Sequence, residues 1–174
     1  LTQYWVLANA ILSRKGANIL VFGLGYDSLL WNRLNSAGST VFLEDSQEWI
    51  DQFVEHDLDI RFVEYGTNVQ ECEELGFEHE RLNIALDADI LDKDWDVILV
   101  DAPLGHQPPR PWAGPGRMAS LYMAKKLAKS GSLVVVDDFA RPIENIYAMH
   151  YFGKYKKAVV QGKLAFFSIG QINH

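Results

Sequence analysis

Three aspartates stand where two apolar runs end. Asp101 closes Trp95-Asp-Val-Ile-Leu-Val100, and Asp137-Asp138 closes Ser132-Leu-Val-Val-Val136. If the two runs are neighbouring strands, three carboxylates meet and raise one another's pKa, a cost that a hard divalent cation with oxygen ligands removes. Otherwise Asp138 caps the segment that follows and Asp101 caps a turn. A second group begins at Gly23-Leu-Gly25, directly after the apolar run Asn18-Ile-Leu-Val-Phe22, with Ser28 at the third small position. Such a turn lets backbone approach a ligand closely, although glycine pairs also serve ordinary strand-to-helix turns. Glu44 ends the next apolar run near the spacing of about 20 residues expected for an acid that grips ribose hydroxyls. The missing third glycine weakens a pyrophosphate site and leaves a ligand without phosphate unaffected. Cys72 is the only cysteine, so there is no internal disulfide and no zinc cluster built on cysteines.

These residues need a frame to hold them. The pattern predicts strands over 18–22, 40–43, 59–63, 95–100 and 132–136, with helices over 28–35, from Ser46 as N-cap to about His56, and over 117–129. The first residues, with Tyr4, Trp5 and Leu7, read as an amphipathic helix on the sheet, and 145–152 reads as a late helix. The stretch 70–91 is rich in acids and shows no clear element. Most of the prolines lie in 105–116, which must be a loop. The two last runs, 158–160 and 163–169, flank Gln161-Gly162, a hairpin turn. Strands almost continuously apolar and separated by helices mean an α/β fold with a mostly parallel twisted sheet covered on both faces.

A closing antiparallel hairpin is unusual for a nicotinamide domain and expected for a Rossmann-like class I methyltransferase, which directs attention to S-adenosyl-L-methionine as cofactor. The acid layout itself is similar to that of metal-dependent O-methyltransferases of the catechol and caffeoyl-coenzyme A type, with an Asp after strand four and Asp-Asn after strand five. More specific are Leu20-Val-Phe-Gly-Leu-Gly-Tyr-Asp-Ser28, Val41-Phe-Leu-Glu44, Val100-Asp-Ala-Pro103 and Pro115-Gly-Arg-Met118, in that order. Together they resemble the glucuronoxylan 4-O-methyltransferases and their irregular-xylem relatives, plant enzymes acting on wall polysaccharide, over about Asn18 to Phe139. The resemblance implies a methyl transfer from S-adenosylmethionine to a sugar hydroxyl, in some members on glucuronic acid, with Gly23, Gly25 and Glu44 at the cofactor. Ser28 and Asp101 join that cofactor set by position. The chain departs from those relatives at Asp137-Asp138, where they tend to carry His-Asp, at His106, where they carry an aromatic, and in the longer insert 107–112.

Methyl transfer to a hydroxyl needs in-line placement and a group to take the proton. His106 lies in a strand-end loop and is a candidate base or a surface histidine; Asp101, Asp138 or a metal-lowered hydroxyl could serve instead. Arg117 can pair bidentately with a uronate of the carbohydrate acceptor, or pair with Asp101 to order the loop. Arg110 and Arg141 could assist, and Trp112 could stack on a sugar face or pack over Pro108 and Pro109. The metal set would be Asp101, Asp137 and Asp138. Other readings keep the fold and change the ligand: a catechol-like acceptor, though no lysine follows Asp101 at close spacing, or a non-catalytic relative that binds polysaccharide. A nicotinamide oxidoreductase fits least.

The 174 residues, 48% apolar and 22% charged, suit one domain over 1–174 with a sizeable core. A net charge of −7 argues against nucleic acid as partner, and no apolar stretch is long enough to span a membrane. The chain opens on Leu1 rather than Met, which leaves room for an upstream anchor such as the one that holds plant relatives in the Golgi.

Overall fold

The computed structural model describes residues 2–104, 114–161 and 163–172. Seven strands form one sheet: β1 Asn18–Phe22, β2 Ser39–Glu44, β3 Asp59–Phe62, β4 Val97–Val100, β5 Leu133–Val136, β6 Tyr155–Val160 and β7 Leu164–Ile172. Their order is β3-β2-β1-β4-β5-β7-β6. The pairs among β1 to β5 are parallel, while β7 runs antiparallel to both β5 and β6. This is the Rossmann-like class I methyltransferase sheet with the closing hairpin expected from the two last apolar runs.

β4 and β5 are apolar at every position, and β1 from Ile19 on, because alternate side chains enter two different cores. Ile19, Val21, Val97, Leu99, Leu133 and Val135 join the core that carries Leu7, Trp31 and Phe53. Leu20, Phe22, Ile98, Val100, Val134 and Val136 join the core that carries Leu121, Tyr147 and Phe152. A strand buried on both faces shows period two as two interleaved apolar sets, and so reads as a continuous run. The first core lies under α1 Thr2–Leu12, α2 Ser28–Leu34 and α3 Gln47–Gln52. The second lies under α6 Met118–Leu127 and α7 Pro142–Phe152. Burying each large side chain of either core stabilises the fold by about 1.5–3 kcal/mol.

Several boundaries differ from the sequence expectation for identifiable reasons. The fourth strand starts at Val97, and Trp95 before it is buried with its indole N–H donating to the Ile90 carbonyl at 2.9 Å. Ser46 caps α3 through the Trp49 N–H as expected, but the helix stops at Gln52 and Phe53 turns into the core. Residues 69–91 form single helical turns, among them α4 Cys72–Leu75 and α5 Ala88–Leu91. The late helix starts at Pro142, three residues earlier than expected. Proline suits a first helical position, where its missing N–H has no partner to lose. Leu7 and Ile11 of α1 pack on the sheet, whereas Trp5 is 70% exposed. No helix among the described residues is long and apolar enough to cross a membrane.

Candidate functional site

The strand order reverses between β1 and β4, and ligands of such sheets bind in the crevice at the carboxyl ends of the strands on either side. There the Gly23 N–H donates to the Leu43 carbonyl at 2.8 Å, and the Asp101 N–H donates to the Phe22 carbonyl at 3.0 Å. The ends of β2, β1 and β4 are thus bound side by side. Gly23 has φ +120°, and a Cβ there would lie 2.8 Å from the Ala102 Cβ, so the turn off β1 can pass β4 only as glycine.

Glu44 is buried at the end of β2 and holds this turn. Its Oε2 accepts from the Leu24 N–H at 2.8 Å; its Oε1 accepts from Ser46 at 2.9 Å and Asp45 at 3.1 Å. Burial raises its carboxyl above the ordinary value, and the bonds from Ser46 and Leu24 work against that rise. The sequence suggests Glu44 as a ligand acid; the structure adds that it braces the turn on which the ligand would rest. Ser28 completes the same unit, its Oγ accepting from the Gly25 N–H at 3.0 Å.

The three aspartates do converge. Val100 pairs with Val136 across β4 and β5, so the residues that follow them emerge together. One oxygen from each of Asp101, Asp137 and Asp138 lies within 4.8 Å of the others. Arg117 stands among them, 4% exposed. Its Nη2 is 3.2 Å from Asp101 Oδ1 and 3.1 Å from Asp138 Oδ2, its Nη1 donates to the Asp137 carbonyl at 2.9 Å, and its Nε donates to the Pro103 carbonyl at 3.2 Å. Of the two roles open to Arg117, the guanidinium is engaged inside the chain, where it ties the end of β4 to the start of α6. Ser120 adds a bond from its hydroxyl to the Ala102 carbonyl at 2.7 Å. Gly114 and Pro115 are held in turn by the Val69 N–H and the Thr67 hydroxyl, each at 2.8 Å. The motifs Val100-Asp-Ala-Pro103 and Pro115-Gly-Arg-Met118 are therefore tied to each other where the chain leaves β4 and enters α6.

Asp138 has φ +54° and meets a second guanidinium, Arg141 Nη2, at 2.8 Å. Burial drives the Asp101 carboxyl well above the usual carboxylate range; Arg117 opposes the shift and Asp137 adds to it. His106, Arg110 and Trp112 lie outside the described residues.

Two features escaped the sequence reading. Asp27, directly before α2, lines the crevice with Gly23, Gly25, Trp31 and Asp101. The crevice continues past Asp101 and Asp137 to Gln3 and Tyr4 of α1. Asp27 stands beside the glycine pair and was legible as a further acid there; nothing in the sequence pointed to Gln3. No Lys or Arg is among the described residues that line either part. A lining with Asp27, Asp101 and Asp137 and without Lys or Arg makes the crevice a poor place for phosphates.

Comparisons with known proteins agree with this architecture. Over 98% of its length the chain superposes on a putative caffeoyl-CoA O-methyltransferase from Staphylococcus aureus, with a TM-score of 0.64 at 15% identity and 84% of that chain covered. It superposes on human methyltransferase-like protein 13 in complex with SAH with a TM-score of 0.57 at 13% identity, covering 99% and 84%. In sequence it is 34% identical to glucuronoxylan 4-O-methyltransferase 2 of Arabidopsis thaliana, over 94% of this chain and 63% of that protein. It is 32% identical to arabinogalactan O-methyltransferase 2 of the same plant, over 92% and 63%. The chain thus spans less than two thirds of the length of these relatives. The IRX15/IRX15L/GXM family model matches residues 3–167, a span that includes the glycine turn, the acid cluster and both motifs that Arg117 joins, and the chain belongs to that family.

Proposed function

We propose that the chain transfers a methyl group from S-adenosylmethionine to a sugar hydroxyl of a polysaccharide or oligosaccharide, and that the hydroxyl is the 4-OH of glucuronic acid. The observation that carries the cofactor is the crevice at the β1–β4 switch point, lined by Asp27, Asp101 and Asp137 without Lys or Arg among the described residues. S-adenosylmethionine brings a sulfonium-bound methyl that a hydroxyl oxygen can attack. The residues here do the rest. Gly23, Gly25 and Ser28 shape the floor of the crevice, and Glu44 offers its remaining lone pairs to the ribose. The acceptor half rests on the relatives, which are named for glucuronoxylan and arabinogalactan.

Asp101 is the described group best suited to take the hydroxyl proton, because its raised pKa brings its proton affinity near neutral pH. Asp138 sits beside it, held by two guanidiniums, and shapes the charge around the base. His106 falls between the two motifs in sequence, outside the described residues, and is the other candidate base, with Arg110 and Trp112, also outside them, as candidate acceptor contacts. Arg117 serves the acceptor indirectly, by tying the two motifs together.

The donor set of Asp101, Asp137 and Asp138 also suits a hard divalent cation. Arg117 occupies one oxygen of Asp101 and one of Asp138, and each keeps a second to offer. Such an ion would lower the pKa of an acceptor hydroxyl. The same triplet is the observation that favours a second reading, a catechol-like small acceptor.

The test is methyl transfer from labelled S-adenosylmethionine to uronic-acid-bearing xylan oligosaccharides, with and without a chelator. Label on the uronic acid, and none on oligosaccharides whose uronic acid is reduced to glucose, is the expected result. Label on catechol alone would replace the acceptor assignment. Activity that a chelator leaves intact would remove the metal.

A further inference from the structure

Charge is spread unevenly along this chain. All 23 acidic residues lie at or before Glu144, whereas residues 145–174 carry Lys154, Lys156, Lys157 and Lys163 and no Asp or Glu. The fold gathers these lysines on one hairpin, β6 with β7, and β6 is an edge of the sheet. All of them are exposed. No carboxylate among the described residues pairs with any of them, whereas Arg61, Arg81, Lys125 and Lys129 elsewhere on the surface each meet an Asp or Glu. Lysines on an edge strand keep a second strand from adding to it. The opposite edge carries its charge in balance, Arg61 of β3 being held by Asp59, Asp87 and Asp89. Edge protection alone therefore does not account for an excess of one sign on β6.

The hairpin also stands beside the crevice. The Phe139 N–H, directly after the acid cluster, donates to the Lys163 carbonyl at 2.7 Å, and Leu164 lines the crevice with Asp101 and Asp137. Lys157 Nζ lies 5.4 Å from the centre of the Phe139 ring. Lys156 and Lys154 follow along β6, so that the row leads from the rim outward over about 20 Å, at about 3.3 Å per strand residue. Neighbours on a strand, Lys156 and Lys157 emerge on opposite faces. A polymer laid along the open edge of β6 therefore meets ammonium groups from both sides. Such a strip matters here because the crevice is lined by acids and the whole chain has a net charge of −7, both of which repel a polyanion. A local patch of opposite sign steers the polymer in despite that field.

We propose that the β6–β7 hairpin is a docking face for an acidic polysaccharide, whose uronate groups beyond the reacting sugar are held by these lysines. The proposal rests on the acceptor reading above and deepens it. Lys163, at the rim, meets uronates close to the reacting one; Lys157, Lys156 and Lys154 meet those farther along the polymer. An oligosaccharide with a single uronate gains little from the row.

The experiment measures retention of the protein by glucuronic-acid-bearing xylan in affinity electrophoresis, beside the same xylan with its carboxyl groups reduced, at low salt and at about 0.3 M salt. Calorimetric titration with S-adenosylhomocysteine runs in parallel. Wild type should be retained by the acidic polymer at low salt, much less at high salt, and little by the reduced polymer. Replacing Lys154, Lys156 and Lys157 together by Gln should weaken retention at least tenfold and remove most of its salt dependence, with S-adenosylhomocysteine affinity unchanged. The same three positions changed to Arg should retain the polymer as wild type does, which a merely structural role would not require. Lys163→Gln should give a severalfold loss. In turnover, the triple Gln variant should raise KM for the polymer with kcat kept, and leave KM for a single-uronate oligosaccharide unchanged. Equal retention of wild type and the triple Gln variant, or equal retention by the acidic and reduced polymers, would overturn the docking face. A wild type that holds the acidic polymer through these lysines but does not bind S-adenosylhomocysteine would support the docking face and overturn the methyltransferase reading instead.

Discussion

The two halves of the crevice are held in different ways. On the β1–β2 side the parts are fixed by bonds to backbone: Glu44 accepts three N–H groups, Ser28 accepts one, and Gly23 is fitted against Ala102. On the β4–β5 side they are fixed by charge: Arg117 and Arg141 balance Asp101 and Asp138, and Arg117 joins the two motifs. Backbone bonds give a shape that changes little with the ligand, which suits a cofactor common to many acceptors. Ion pairs give a shape that can re-sort its partners when a charged acceptor arrives. Under the proposed function, the β1–β2 side is the rigid reference against which an acceptor would be placed.

The largest effect should come from the charged side. Arg117→Ala leaves clustered carboxylates without their central cation, and removing one partner of a buried network costs on the order of 3 kcal/mol. Thermal unfolding should show a drop in Tm on the order of 10 °C. Arg117→Lys should recover only part of it, because one ammonium cannot reach four acceptors in a fork. On the backbone side Gly23→Ala must carry φ +120° and a Cβ at 2.8 Å from Ala102, at a cost of about 1–3 kcal/mol. Here the telling readout is cofactor affinity, expected to fall at least tenfold. Ser28→Ala removes one acceptor and should cost about 1 kcal/mol, with a severalfold loss of the same affinity. If Ser28→Ala proved as damaging as Arg117→Ala, the contrast between the halves would be wrong.

The smallest effect concerns Glu144 of α7, which is fully buried, has no hydrogen-bond partner for either oxygen, and lies 4.0 Å from Arg141 Nη1. Burial raises its carboxyl above the ordinary value. The folded chain then holds this proton more tightly than the unfolded chain, so this group's contribution to stability is complete in acid and is lost as pH rises past the ordinary carboxylate value, about 4.3. Glu144→Gln cannot ionise and should lack that decline. Denaturant midpoints compared at about pH 5 and pH 8 should show the variant gaining on wild type at the higher pH. A gap that does not change with pH would show that Glu144 stays paired with Arg141 and ionised throughout.

Much of this was readable from residue order. The apolar runs located all seven strands, and the two last runs foretold the antiparallel β7. Glycines and acids at strand ends located the crevice, because in a parallel sheet the residue after each strand must emerge on the same side. What was not legible depended on packing between distant segments. Arg117 could face either an acceptor or Asp101, and only the fold shows it between Asp101, Asp138 and Pro103. Asp27 and Gln3 meet across the crevice although 24 positions separate them, and neither belongs to a pattern of spacing. Residues 70–91 lacked a clear element because they form isolated turns, each stabilised by tertiary contacts such as those of the Tyr147 hydroxyl with the Cys72 and Gly76 carbonyls.

The central claim is that the ends of β2, β1 and β4 form an S-adenosylmethionine site braced by Glu44. Its most direct test is calorimetric titration of wild type and Glu44→Ala with S-adenosylhomocysteine. The account predicts micromolar binding by wild type and a loss of tenfold or more, about 1.4 kcal/mol, in the variant. A wild type that does not bind, or a variant that binds as well as wild type, would contradict it.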